Sequence, residues 1–349
     1  MALLLLSRRT PPPRCGAPAD FLTTHLQVSG ADALKAERKL LPQLVEKFPR
    51  ERATITCGSL QTRLRLSNST LRRILLKHPA VLCYNYTTTV EPSIEFLRRR
   101  LGLSDEQVSK ALVRHPATLG YNVEPNVAAL KFRLQLTDED VAKMVTRSPS
   151  FLGLSFDENV APSLGGLQRL LELDDDELRK IIVARPSFLG LDFDSNVRPM
   201  LSALQGRLGL ASLPELKRIV LCMPSVLGLS YTDNLAPTLE AVQQRLQLSD
   251  AELSHLVLKQ PPVLGYSFEN NLQPKLAYLQ EAYALSDAML KQRVLALPSL
   301  LGYSVERRYR PREERCRLAG VPLVQVLDKI ALSGARFNAS VPLPAHSSL

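Results

Sequence analysis

The chain is 349 residues long, 45% hydrophobic but only 5% aromatic with no Trp, so it can bury a large core made mostly of aliphatic side chains. Forty-four Lys and Arg against 34 Asp and Glu leave a formal charge of +10, a balance that favours polyanionic partners. Five scattered cysteines without a C-x-x-C pair argue against a zinc cage or disulfide framework, and the longest apolar run, Ala2 to Leu6, falls far short of the ~18–20 residues of a membrane span.

The N-terminus, "MALLLLSRRTPPPRCGAPA", carries Arg8, Arg9 and Arg14 and no acid before Asp20. That is the composition of an organellar transit peptide, and its apolar run is below the ~7–15 residues of a secretory leader. A basic N-terminus without a targeting role has the same composition. Residues 1–30 are expected to be disordered and outside the fold. In 31–66, Leu41, Leu44 and Val45 precede Pro49 with a spacing that recurs further on, but "PRERAT" lacks the rest of the pattern. This segment is expected to be a degenerate N-terminal capping repeat.

From 67 to 318 one phrase recurs seven times, anchored on Pro79, Pro116, Pro149, Pro186, Pro224, Pro261 and Pro298. The text after these prolines runs "AVLCY", "ATLGY", "SFLGL", "SFLGL", "SVLGL", "PVLGY" and "SLLGY": leucine always three places on, glycine four places on except at Cys83. Upstream, the positions eight and four before each proline are apolar in all seven copies, for example Leu178 and Ile182. That spacing predicts an amphipathic helix. Its start is marked by Ser104, Thr137, Asp174, Ser212, Ser249 or Ser286, with capping boxes at Ser104–Gln107, Ser212–Glu215 and Ser249–Glu252. The proline ends it, because the residue before a proline is pushed out of the α region.

A second proline follows thirteen places on (Pro92, Pro162, Pro199, Pro237, Pro274, Pro311) and fits the first turn of another helix. Asn159, Asn196, Asn234 and Asn271, three places before it, are placed to cap that helix or turn the chain there, and Gly190 and its counterparts to allow the turn. The Pro116 copy is four residues short, about one helical turn, so its second helix should shorten without rotating its apolar face. One helix pair cannot bury its own apolar face, so the copies must stack. Residues 319–340 are expected to form a C-terminal capping helix and 341–349 a tail.

A repeat of about 37 residues with "P-S-x-L-G-[LY]" after its first helix, Asn-x-x-Pro opening the second, and a terminal "SVERRYRPREERCRLAGVP" resembles the mitochondrial transcription termination factor (mTERF) family over roughly residues 34–340. The resemblance implies an all-α fold of right-angled helix-pair repeats stacked into a curved superhelical solenoid. It also implies a basic groove for DNA or RNA, in a mitochondrion or chloroplast. Members are associated with organellar transcription termination or initiation, ribosomal RNA maturation, ribosome assembly and intron splicing.

The repeat frame locates candidate phosphate contacts. Six places before the proline stand Arg73, Lys110, Lys143, Lys180, Arg218, His255 and Gln292; two places before it, Lys77, Arg114, Arg147, Ala184 (beside Arg185), Cys222, Lys259 and Ala296. Positions four apart share a helix face, here off the apolar stripe, and none of the fourteen is acidic. Stacking should align them into a basic strip that neutralises phosphates, although a solvated, solubilising face would look alike. Arg307, Arg308, Arg310 and Arg312 form a second basic concentration, diluted by Glu306, Glu313 and Glu314. The tyrosines Tyr84, Tyr121, Tyr266 and Tyr303 interchange with leucine at one repeat position and are expected in the core, with base stacking of the kind single-strand binders use as the alternative. His78 and His115 share their position with Ser148, Arg185, Met223, Gln260 and Leu297, a set that excludes a metal site.

No nucleotide-binding, zinc-protease or serine-hydrolase motif occurs, and the carboxylates gather at helix starts, as in "TDED" and "DDDE", where they complement the helix dipole. The expectation is a non-enzymatic, cofactor-free and metal-free monomer off the membrane that binds nucleic acid, with a protein partner in organellar transcription or ribosome assembly also open. The rival is a helical scaffold that binds proteins without touching nucleic acid.

Overall fold

The computed structural model describes residues 17–342, all helix and connecting turn with no strand among them. The chain divides into two compact units, Met1–Gln168 with Asp174–Leu191 and Arg169–Leu173 with Asp192–Leu349.

In the first unit, residues 17–30 belong to the fold, contrary to the expected disordered leader. Helix α1 (Pro18–Leu26) packs on α2 (Gly30–Glu37) with Phe21 and Leu22 fully buried. The Ala19 N–H donates to Glu37 at 2.9 Å and Arg50 pairs with Asp20 at 2.8 Å. The rest of the expected leader, residues 1–16, lies outside the described residues. Helices α3 (Pro42–Glu46) and α4 (Arg50–Leu64) complete the N-terminal cap.

The repeats follow. The first helices of successive copies in this unit, α5 (Asn68–Lys77), α7 (Asp105–Arg114), α9 (Asp138–Arg147) and α11 (Asp175–Ala184), are ten residues each and pack in sequence against one another. The second helices are α6 (Glu91–Glu95), α8 (Glu124–Leu134) and α10 (Ala161–Leu171). Capping boxes stand at Ser104–Gln107 as expected, and also at Thr137–Asp140 and Asp174–Glu177. Leu71, Ile74 and Leu75 and their counterparts are buried.

The segment between the paired helices is not an irregular loop. From each anchoring proline a 3-10 turn runs to the glycine position, Pro186–Gly190 for instance, and buries its leucine completely (Leu82, Leu119, Leu152, Leu189). The chain then starts the second helix six residues after the proline. Ser155 accepts from the Glu158 N–H at 3.3 Å and Asp192 from the Ser195 N–H at 2.7 Å. A wide π turn follows, Phe156–Val160 in the Pro149 repeat, closed by Val160 N–H to Ser155 O at 3.2 Å. Helix starts therefore come earlier than the asparagine and second proline suggest. Asn159 does not cap; its Oδ1 accepts from the Ser155 N–H at 3.2 Å, a capping box widened by one residue to span the π turn. Pro162 sits where the π turn passes into α10. The short Pro116 copy dispenses with the π turn and keeps Val127, Leu130 and Leu134 buried, so the face is preserved as expected.

The second unit repeats the scheme with α12 (Arg198–Leu208), α13 (Leu213–Cys222), α14 (Ala236–Leu246), α15 (Asp250–Lys259), α16 (Gln273–Tyr283), α17 (Asp287–Ala296) and α18 (Arg310–Leu318). Ser249–Glu252 forms its capping box, and Glu215 accepts from the Ser212 N–H at 3.2 Å. The stretch expected to be one capping helix divides into α19 (Leu323–Ala331) and α20 (Gly334–Ser340), because Ser333 caps a new start by accepting from the Arg336 N–H. Most of the tail, 343–349, lies outside the described residues.

Each second helix ends on a left-handed residue. Glycine fills this place at Gly102 and Gly209, but Gln135, Glu172, Gln247 and Ala284 hold it with a side chain at φ of 48–51°. The left-handed region strains an L-residue by roughly 1 kcal/mol and suits glycine. Ala284→Gly is therefore expected to stabilise the protein by about 0.5–1 kcal/mol, read as a higher urea midpoint; an unchanged or lower midpoint would contradict it.

Candidate nucleic-acid interface

Most first helices carry acids in the first turn, as at Asp105, Asp138, Asp175 and Asp250, and several carry a cation in the last, as at Lys77, Arg114, Arg147 and Lys259. The acidic end is tied up internally. Arg133 donates to Asp175 at 3.0 Å and to Gln168, which itself donates to Asp175 at 2.9 Å. In the second unit Arg207, Gln243 and Asp250, and again Arg245, Gln280 and Asp287, repeat the arrangement. The hydrogen bonds from Arg133 and then Gln168 hold the Asp175 carboxyl below the usual carboxylate range. Each trio joins two second helices to the start of a first helix. Sequence reasoning finds the acids but not these clamps, since the Arg and Asp are 42 or 43 residues apart.

The cationic end divides into three groups. The residues six before the proline are all exposed. Lys110 pairs with Glu106 at 2.6 Å and Lys143 with Glu139 at 2.8 Å, both on their own helices. The side chains of Arg73, Lys180 and Arg218 are exposed and make no hydrogen bond or ion pair among the described residues, and those of Lys259 and Arg307 are alike.

Three of the residues two before the proline, Lys77, Arg114 and Arg147, serve the neighbouring repeat. Lys77 donates to the Arg114 carbonyl, Arg114 to Thr146 O at 2.5 Å and Arg147 to Val183 O at 2.7 Å; in the cap, Lys39 reaches Leu76 O at 2.7 Å. Each recipient lies at the C-terminal end of the next first helix, where carbonyls lack intrahelical partners and the dipole is negative. Duplication of this cap accounts for part of the regularity from which the sequence suggests a phosphate strip.

The C-terminal arginines are mostly committed. Arg308 stacks 3.7 Å over Tyr303 and donates to Ile330 O and Leu332 O at 3.1 and 2.7 Å. Arg312 donates to the same two carbonyls at 2.7 and 2.6 Å and lies over Phe337. Both therefore cap α19 and fasten it to α18. Arg310 pairs with Glu306 at 3.2 Å, leaving Arg307 as the open charge of the four.

Beside the cations the 3-10 turns Pro79–Cys83, Pro116–Gly120, Pro149–Gly153 and Pro186–Gly190 stack one on the next. The tyrosine position lies on the outside of this stack rather than in the core, and Tyr121 is 44% exposed. The reason is its fit across the next repeat's glycine: a Cβ on Gly120 would sit 2.5 Å from Tyr84 Oη, and one on Gly153 2.6 Å from Tyr121. These glycines have ordinary backbone angles and serve close approach, not turn freedom. At Gly190 even the approach is loose, with Leu154 3.9 Å away. No stacked turn precedes Pro79, which explains why Cys83 can occupy the glycine position. His78 Nε2 lies 2.9 Å from Tyr84 Oη; burial, then Lys39, lowers the His78 pKa, and burial, then Lys77 and His78, that of His115.

Among the described residues no cluster of three His, Cys, Asp or Glu could hold a metal, and no helix is long and apolar enough to cross a membrane. A search of curated proteins yields no match. The mTERF family model matches residues 38–170 and 133–337, two overlapping stretches that take in most of the chain. With its repeated helix pairs and their proline-led turns, the chain belongs to the mTERF family.

Proposed function

We propose that this protein binds nucleic acid along the C-terminal ends of its first helices and regulates gene expression in an organelle, at transcription termination or at RNA or ribosome maturation. Family membership supports the organellar, nucleic-acid-binding setting. The observation that carries the reading is the row six before the proline: exposed in every repeat, never acidic, and with Arg73, Lys180 and Arg218 unengaged by protein. Cations without internal partners lose nothing on meeting a phosphate, and each contact releases counterions.

The test is a filter-binding titration of the full chain against duplex DNA and against RNA from low to high salt. The logarithm of affinity should fall linearly with the logarithm of salt concentration. Binding indifferent to salt, or none, overturns the proposal. One observation favours the rival scaffold reading: Phe132 on α8 is 82% exposed, an apolar anchor without a partner in the chain. A scaffold would give that salt-indifferent outcome and lose its protein partner on Phe132→Ser.

A further inference from the structure

We propose that the residues immediately before the anchoring prolines of the first unit, His78, His115, Ser148 and Arg185, read a single-stranded polynucleotide base by base, one per repeat. The inference rests on the nucleic-acid reading above and adds to it where sequence is recognised and in which form of the strand.

All four residues hold one backbone pose, with φ from −133 to −152° and ψ from 69 to 82°. They launch their side chains from equivalent points on turns that stack successively, so the row is in register while its chemistry changes at every step. The surrounding positions do the opposite: leucine three after the proline is constant, and the charge six before it is constant in sign. A position serving only packing would be apolar, as the leucine three after the proline is, and this one is half-buried and polar in all four repeats. Within the second unit the same place holds Met223, Gln260 and Leu297, which confines a continuous polar row to the first unit.

The side chains retain unspent hydrogen-bonding capacity. The Arg185 Nε is buried without a partner, the Ser148 hydroxyl meets only Ser150 at 3.3 Å, and the His115 ring makes no hydrogen bond among the described residues. His78, engaged with Tyr84, keeps its second ring nitrogen. Arginine presents paired donors that suit the two acceptors of guanine, while neutral histidine and serine each offer a donor and an acceptor. Half-buried side chains on a turn cannot enter a groove ~8.5 Å deep. The base must come to them, as splayed bases of a single strand do. Lys180, one turn of helix away from Arg185, would meanwhile hold a phosphate.

The experiment selects binders from random single-stranded RNA and DNA pools with the full chain, and repeats the selection with His115→Gln, Arg185→Gln and Lys180→Gln. The unsubstituted protein should enrich a sequence from one pool, the pool identifying the sugar it uses. His115→Gln and Arg185→Gln should each lose about tenfold discrimination at one nucleotide position, with the salt dependence unchanged. Lys180→Gln should weaken all sequences alike. Thermal unfolding of each variant separates these outcomes from loss of fold, and Arg185→Lys, which retains charge without paired donors, should also lose discrimination. Preferences unchanged in the variants, a uniform loss for all sequences, or a preference for duplex overturns the inference. Salt-dependent binding with no sequence preference defeats it alone, whereas retention of no nucleic acid defeats the proposed function as well.

Discussion

Replacing Leu189 by alanine is expected to destabilise the protein by about 2–5 kcal/mol, the range for emptying a well-packed core site. Leu189 has no exposed surface although it lies in a short 3-10 turn between two prolines. The turn is held by backbone hydrogen bonds such as Phe188 N–H to Arg185 O at 3.1 Å and by this buried side chain, so the cavity has little means of collapsing. Urea unfolding checks it, with Leu191→Ala as the comparison. Leu191 is two residues further on but only half-buried, and its loss should be clearly smaller. Equal effects, or a loss under about 1 kcal/mol for Leu189→Ala, would show that the turn is not part of the core.

Changing Arg73, Lys180 and Arg218 together to glutamine should flatten the salt dependence of nucleic-acid binding. Each phosphate contact contributes roughly 0.7 to the logarithmic slope on a single strand and 0.9 on a duplex, so three contacts amount to about 2–3. Affinity at low salt should fall more than tenfold, while stability should change little because these exposed side chains make no hydrogen bond or ion pair among the described residues. Arg308→Gln and Arg312→Gln should do the reverse. They leave the Ile330 and Leu332 carbonyls short of donors, which lowers the unfolding midpoint, while the slope stays as it was. If the arginine pair moved the slope and the three open cations did not, binding would lie on the C-terminal cluster instead.

The contrast between these two sets shows how far a sequence can be read. Helix pairs, their anchoring prolines, their apolar stripes and three capping boxes are legible because each depends on residues within about one helical turn of each other. The same reasoning places Arg73, Lys180 and Arg218 on a surface. It misplaces the start of the second helix, since Pro162 and Asn159 imitate an N-terminus while Ser155 supplies it. It also takes residues 17–30 to be disordered, where α1 is fixed by Glu37 and Arg50 from further along the chain.

What the sequence by itself determined is the repeat, the stacking class of fold and the sign of the charge on one face, all consequences of local periodicity. Only the tertiary structure decided what each cation does. Lys77, Arg114 and Arg147 have the composition of a phosphate strip, and each also donates to a carbonyl 32 to 37 residues away. Whether a charge is open or engaged depends on helix ends brought together by stacking, and no window of sequence contains both partners.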